Sequence, residues 1–580
     1  MSVVPGATST VRREPSNAMK VIFGIISIGY GWYLEIGAVK SPQSAGPKSR
    51  MIRTEVKLRG FNRKCGNLCR MFEPRLSPLS LVILIVLFSV AGQVHAAIEF
   101  ADVTGGRLKG EIERGIATFK GVPFAAPPVG ALRWKAPQPV VAWNATRKAN
   151  TFAPGCVQPW DAEPGRISED CLYLNVWTAA ATSKERRPVM VWIHGGGFTS
   201  GMSWEALSSG SKLAPQGIVL VTIAYRLGAI GFLAHPELTR ESGRGSGNYG
   251  LLDIVAALEW VHANIPQFGG DPSRVTIFGG SAGGIAVSLL AGAPAAKGLY
   301  ARAIAQGGVA FYPLQDLAAA EASGETLFKS LGVADLKSAR QIPAMKVNAA
   351  LVRSILPLPI IDGDLIPRDN VYLFNHGRFN DMPILAGFTS AEWGDPSPAD
   401  AAAWLRTRVA RLPCQEAQAA LEAAYPFAND AEAKLAAPSM LRDLANGWPT
   451  WMWARMQTAK GRHPAFLYYF DIHGSEHPLG AWHAAEYPYV FGNFPKPPTA
   501  SDEAASDLIR TYWINFAKHG DPNGPGVPLW KPYDEQLQSA MVFHEGASSQ
   551  RLPGMQGIQA WDAQIQCAPE SARMFLENAR

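Results

Sequence analysis

The stretch Val275-Thr276-Ile277-Phe278-Gly279-Gly280-Ser281-Ala282-Gly283-Gly284 decides the fold. Its apolar, β-branched opening reads as a buried strand, Gly-x-Ser-x-Gly follows, and Ile285 to Leu290 suits a helix. A serine held in a sharp strand-to-helix turn has strained backbone angles. The positions two before and two after it must therefore lack bulk, and Gly279 and Gly283 meet that need. The helix then directs its free N–H groups and positive dipole end at the serine oxygen, where negative charge develops during acyl transfer. Because a bare Gly-x-Ser-x-Gly is common by chance, the flanking strand and helix are what make Ser281 a candidate nucleophile.

Upstream, Pro188 to Ile193 is a continuous apolar strand of the kind buried in a parallel sheet, and it ends in His194-Gly195-Gly196-Gly197-Phe198. Consecutive glycines let the backbone approach a ligand and aim two N–H groups at one oxygen, which predicts an oxyanion hole. Gly110 to Val122 and Leu172 to Trp177 read as earlier strands, and Phe124 to Gly130 as a proline-rich surface crossing. Ile218 to Ala224 reads as a further buried strand. Asn248 to Val261 has helical spacing, with Asn248 as its expected cap, and Gly269 to Pro272 is the turn that feeds the serine strand.

This alternation predicts an α/β fold with a doubly wound, mostly parallel central sheet and helices on both faces. The alanine-rich stretches Leu314 to Leu356 and Pro398 to Asn446 are expected to be helical insertions over the C-terminal edge of the sheet, where such folds bind ligands. No repeat or inter-domain linker interrupts the pattern.

A serine hydroxyl needs a base, and the base needs an orienting acid, here expected in the order serine, acid, histidine. The strand Pro383 to Gly387 opens into Phe388-Thr389-Ser390-Ala391-Glu392-Trp393-Gly394, which makes Glu392 the first choice of acid and Asp395 the second. Among the histidines beyond it, His483 lies in the apolar, aromatic run Gly480 to Gly492, unlike the polar surroundings of His473 and His477. Periodicity alone leaves open that His483 is a core histidine.

Hydrophobic residues make up 47% of the 580 and charged residues 18%, a globular composition. The formal charge of +6 is uneven. Residues 1–96 hold thirteen Lys/Arg and four Asp/Glu, a net of +9, which leaves −3 for the remainder, where nothing suggests a nucleic-acid surface. Leu79 to Ala91 is an apolar run followed by Val94-His95-Ala96, the form of a signal peptide cut after Ala96. A signal should open a chain, so residues 1–70 are expected to lie outside the mature protein, with translation from Met71 or Met51. The expected division is thus 1–70 doubtful extension, 71–96 signal peptide and 97–580 one enzymatic domain. Val21 to Val39, interrupted by Glu35 and several glycines, is a poor candidate for a membrane anchor.

Beyond the leader's Cys65 and Cys69, four cysteines remain, an even number that favours disulfides in an exported chain. Cys156 and Cys171 bracket a loop holding Pro159 and Pro164 and are the first choice of pair. Cys414 with Cys567 follows only by elimination, against the alternative of buried free thiols.

These stretches together resemble the type B carboxylesterases, the cholinesterase and para-nitrobenzyl esterase family of α/β-hydrolases. Collinear agreement runs through Phe119 to Ala125, Ser168 to Val176, the His-Gly-Gly-Gly-Phe run, Gly247 to Asp253, the serine turn, the His483 segment and Phe516 to Gly524. The resemblance implies Ser281 as nucleophile, His483 as base, Glu392 as acid, and the N–H groups of Gly196, Gly197 and Ala282 as the oxyanion hole. It also implies the Cys156–Cys171 bridge, a small-molecule ester as substrate, and no metal or cofactor. Two departures stand out. The family usually has glutamate where this chain has Gly280, so negative charge is lost beside the histidine, space is expected there, and choline-type cations should be poorly selected. Around Glu392, relatives more often carry Asn and an acidic residue before the glutamate and glycine after it, so Trp393 is expected near the site. Trp160, Phe198, Trp204, Trp393 and Trp482 are candidates to line an aromatic gorge. A non-catalytic relative would lack the serine or a partner, and all three residues are present.

Overall fold

The apolar runs pair into one eleven-stranded mixed sheet. Its strands are β1 (Glu111–Glu113), β2 (Ile116–Pro123), β3 (Tyr173–Thr178), β4 (Arg187–Ile193), β5 (Val219–Ile223), β6 (Gly270–Gly280), β7 (Arg302–Gln306), β8 (Ile384–Thr389), β9 (Ala465–Phe470), β10 (Ser539–Phe543) and β11 (Ala547–Arg551). The spatial order is β11-β10-β9-β8-β7-β6-β4-β5-β3-β2-β1. From β10 to β5 neighbours run parallel, and the flanking pairs are antiparallel. The computed structural model describes residues 97–159, 166–351, 358–394, 396–569 and 571, and the backbone of three strands nearer the N-terminus.

Side chains alternate across the pleat, so β4 sends Val189, Val191 and Ile193 into one core and Met190 and Trp192 into the other. The first core lies under helices α1 (Tyr249–Asn264) and α2 (Ala282–Gly292), and the second under α3 (Ala500–His519). Both faces are dry, which is why the central strands carry no polar alternation. The two alanine-rich stretches are helical, at Leu317–Leu331, Leu336–Ala339 and Ala344–Ala349, then Ala401–Val409, Gln415–Ala424 and Asp430–Arg442.

Asn248 departs from expectation. It stands at the start of α1 but makes no capping hydrogen bond; its amide donates instead to the Ile360 carbonyl and the Asp362 carboxylate. The helix is held by a buried ion pair that the sequence did not announce: Asp253 on α1 accepts from the backbone N–H, Nε and Nη2 of Arg226. Cys156 is bonded to Cys171 and Cys414 to Cys567, so none of the four is a free thiol.

Two compact units are distinguished, Met1–Gln93 and Val94–Arg580. In the first, Val21–Ile28, Trp32–Val39 and Arg53–Gly60 pair antiparallel in that order. Val21–Ile28 and Trp32–Val39 are therefore strands rather than parts of a membrane helix, and no described helix is long and apolar enough to cross a membrane. The signal-like run Leu79 to Ala96, Cys65 and Cys69 lie outside the described residues.

Candidate active site

Ser281 joins β6 to α2 with φ 55° and ψ −124°, a region that costs a non-glycine residue about 1–3 kcal/mol. The surrounding contacts impose it. A Cβ on Gly279 would lie 2.5 Å from the Gly283 carbonyl, and one on Gly283 would strike the Ile193 carbonyl, so strand and helix meet only because both are glycine. The Ser281 N–H donates to the Gln306 carbonyl at 2.7 Å, which ties the turn to β7.

The glycine run reaches the serine through register. Ile193 of β4 pairs with Gly279 of β6, so the residues that leave the two strands are neighbours. A Cβ on Gly195 would lie 3.0 Å from the Ser281 Cβ. Gly196 and Gly197 have φ of 100° and 62°, and the Gly196 carbonyl is occupied by the N–H groups of Thr199 and Ser200. Their own N–H groups donate to no acceptor among the described residues. Ala282 opens α2, so its N–H also has no intrahelical acceptor. His194 anchors the run from below. Its ring stacks on Tyr225 at 4.4 Å, and burial pushes it down to about 4, so it is neutral.

Glu392 and His483 lie on the loops that follow β8 and β9 and are in direct contact, Glu392 Oε2 against His483 Nδ1. The carboxylate is buried, and its other oxygen accepts from the Thr389 N–H at 2.8 Å. The two loops are stitched together on either side of this pair. Ala391 N–H donates to the Ala481 carbonyl at 2.8 Å, and Ala481 N–H to Ser390 Oγ at 2.7 Å. Burial pushes the His483 imidazole down, but the charges of Glu392 and, after it, Glu486 outweigh that and hold it above its ordinary value. Asp395, the second choice of acid, lies outside the described residues.

Sequence reasoning missed Gly307 and Gly308, the turn after β7 that packs both halves of the site together. A Cβ on Gly308 would strike the Ser281 backbone, while one on Gly307 would sit 3.2 Å from Glu392 Oε1 and 3.3 Å from His483 Cε1. Two glycines directly after a buried strand were the available signal.

The space expected beside Gly280 does not exist. A Cβ there would fall onto the hydroxyl and ring of Tyr487, whose hydroxyl is buried and whose ring is edge-on to Trp192 at 5.3 Å. Next to it Glu486 is buried, accepts from the Tyr468 hydroxyl at 3.0 Å, and is pushed up to about 7 by burial and by Glu392. Gly280→Glu, which restores the family's usual residue, is therefore expected to cost about 1–3 kcal/mol by overpacking and to lower activity. Tyr487→Ala in the same chain should recover part of the stability. Thermal melts of the single and double variants check this; equal melting temperatures for Gly280→Glu and the wild type would mean that Tyr487 yields without cost.

Of the aromatic candidates, Phe198 is core, packed on Phe232 at 5.1 Å, and Trp204 stacks on Phe152 at 6.1 Å. Trp393 and Trp482 are each 53% exposed, and Trp393 lies flat on His483. Trp160 lies outside the described residues.

A mostly parallel sheet sandwiched by helices, with a strained serine turn at the C-terminal end of a central strand, is the α/β-hydrolase fold. Within that class the chain belongs to the carboxylesterase family, which its residues 93–561 match. It is a carboxylic ester hydrolase. It is 37% identical over 470 residues to the fumonisin B1 esterase of Sphingopyxis macrogoltabida, covering 76% of this chain and 85% of that protein. It is 35% identical to the para-nitrobenzyl esterase of Bacillus subtilis (strain 168), covering 76% and 93%. The solved structure of a PNB esterase superposes with a TM-score of 0.71 at 32% identity, over 80% of this chain and all of that one.

Proposed function

We propose that the chain is an exported serine carboxylesterase acting through an acyl-serine intermediate. Ser281 attacks the ester carbonyl while His483 takes its proton, and Glu392 keeps Nδ1 protonated and the ring aligned. The N–H groups of Gly196, Gly197 and Ala282 receive the developing oxyanion. His483 then gives its proton to the leaving alcohol, and water releases the acyl group by the same sequence. The observation that supports this most is the contact between buried Glu392 and His483, packed through the Gly307–Gly308 turn against a serine in a strained turn.

The favoured substrates are neutral apolar or aromatic esters. In support, the neutral Tyr487 hydroxyl lies against Gly280, where the family usually carries glutamate, and exposed Trp393 stacks on His483. Export is supported by the signal-like run before Ala97 and by two disulfides. The domain is then residues 97–580.

The test is a panel on the chain starting at Ala97: para-nitrophenyl esters of short and medium acids, a matched ester, thioester and amide, a choline ester with its neutral isostere, and fumonisin B1. Esters should be cleaved fastest, and the choline ester no faster than its isostere. An amide cleaved as fast as its ester, or a strong preference for choline, would overturn the substrate reading. Mass spectrometry of the exported protein should find Ala97 at the N-terminus, and a peptide from residues 1–70 would defeat the export reading.

A further inference from the structure

The imidazole of His483 is bounded on more sides than the triad requires. Its Nδ1 meets Glu392, its Cε1 edge faces Gly307, and one ring face is covered by the Trp393 indole, with centroids 5.2 Å apart and planes 17° from parallel. The indole is itself fixed. Trp393 Nε1–H donates to Asn446 Oδ1 at 2.8 Å, and Asn446 Nδ2–H donates to the Gly307 carbonyl at 2.8 Å. Asn446 is buried and lies in a π-helical turn, Asp443–Gly447, an irregularity frequent at functional sites. Trp393, Asn446, Gly307 and His483 thus form a ring of contacts around the base, although Trp393 is half exposed. An exposed tryptophan held rigid by a buried amide gains little from burial.

We propose that Trp393 is a positioning residue for the base: it holds the His483 ring between Glu392 and Ser281 and stabilises the imidazolium that forms when Ser281 loses its proton. This rests on the reading of His483 as base. A flat aromatic face attracts a cation, so the stack strengthens as the ring becomes charged and weakens when it returns to neutral. The other titratable groups facing His483 are Glu392 and Glu486, with the hydroxyls of Tyr468 and Tyr487 beyond Glu486. Arg442, which donates to the Ser390 carbonyl, is paired with Asp443. The indole's own hydrogen bond and ring stack are with Asn446 and His483 and not with any of these groups, so a change in the base's titration reports on the stack.

The experiment compares the pH dependence of kcat for the wild type, Trp393→Phe and Trp393→Leu on a para-nitrophenyl acetate substrate too small to depend on the rim, with His483→Ala as reference and thermal melts for each. Trp393→Leu should lower kcat about tenfold and move the acidic limb to lower pH. Trp393→Phe, which keeps an aromatic face but not the Nε1–H, should restore the limb and most of kcat. If Trp393→Leu folds and matches the wild type in rate and limb while His483→Ala is inactive, the proposal fails and the triad stands. A rate loss with an unmoved limb, or a limb that Phe does not restore, also defeats it. Full activity of His483→Ala would instead overturn the reading beneath it.

Discussion

Ser281→Ala is expected to reduce kcat on para-nitrophenyl esters by at least about 10,000-fold while leaving the fold intact. Removing the nucleophile of a serine triad deletes the covalent route altogether, and what survives is the contribution of the oxyanion donors and of binding. Alanine keeps the Cβ, so the strain of the φ 55° conformation is unchanged and the melting temperature should stay close to that of the wild type. Ser281→Gly should be equally inactive yet more stable, because glycine adopts positive φ without that penalty. Activity measured beside melting curves for both variants separates the roles. Residual turnover within a hundredfold of the wild type would mean that another group is the nucleophile. A stabilised, inactive glycine variant would show that the chain spends stability to hold its serine in this turn.

What was legible in the sequence was local. The serine turn, the glycine run after β4 and the buried strands are written in consecutive residues, and the structure has them within a few positions of the expected boundaries. What was not legible depends on residues far apart in the chain. Tyr487 lies 207 positions from Gly280, so nothing near the serine announced that the missing glutamate would be replaced by an aromatic ring. Asn248 has the ideal chemistry for a cap, but tertiary partners at Ile360 and Asp362 claim its amide. Position alone made Glu392 only a first choice over Asp395. What distinguishes its surroundings is the pairing of Ala391 with the His483 loop, which brings Glu392 under the imidazole. Phe198 had the composition of a gorge lining, but its place after the glycine run turns it into the core against Tyr225 and Phe232.

Glu392→Gln should lower kcat by about 1,000- to 10,000-fold with almost no change in volume, because it alters the proton arrangement rather than the packing. The Thr389 N–H demands an oxygen acceptor at one end of the side chain, so the amide nitrogen turns toward His483 Nδ1. Nδ1 then becomes an acceptor, the ring proton moves to Nε2, and Nε2 can no longer accept the proton of Ser281, the proposed nucleophile. The pH dependence follows from the same charges. Burial opposes protonation of His483, and the charge of Glu392, reinforced by Glu486, overcomes it. His483, as the proposed base, works when neutral, so wild-type activity should rise with pH through a midpoint above the ordinary histidine value of about 6.5. Without the Glu392 charge, burial prevails and the residual activity should titrate at lower pH. Stability carries the opposite sense: a histidine raised in the fold contributes stability fully below its unfolded value and loses it as pH rises through the folded one. The melting-temperature advantage of the wild type over Glu392→Gln should therefore be larger at pH 5 than at pH 9. Rate profiles and melts across that range check both signs, and a kcat within tenfold of the wild type would remove Glu392 from the triad.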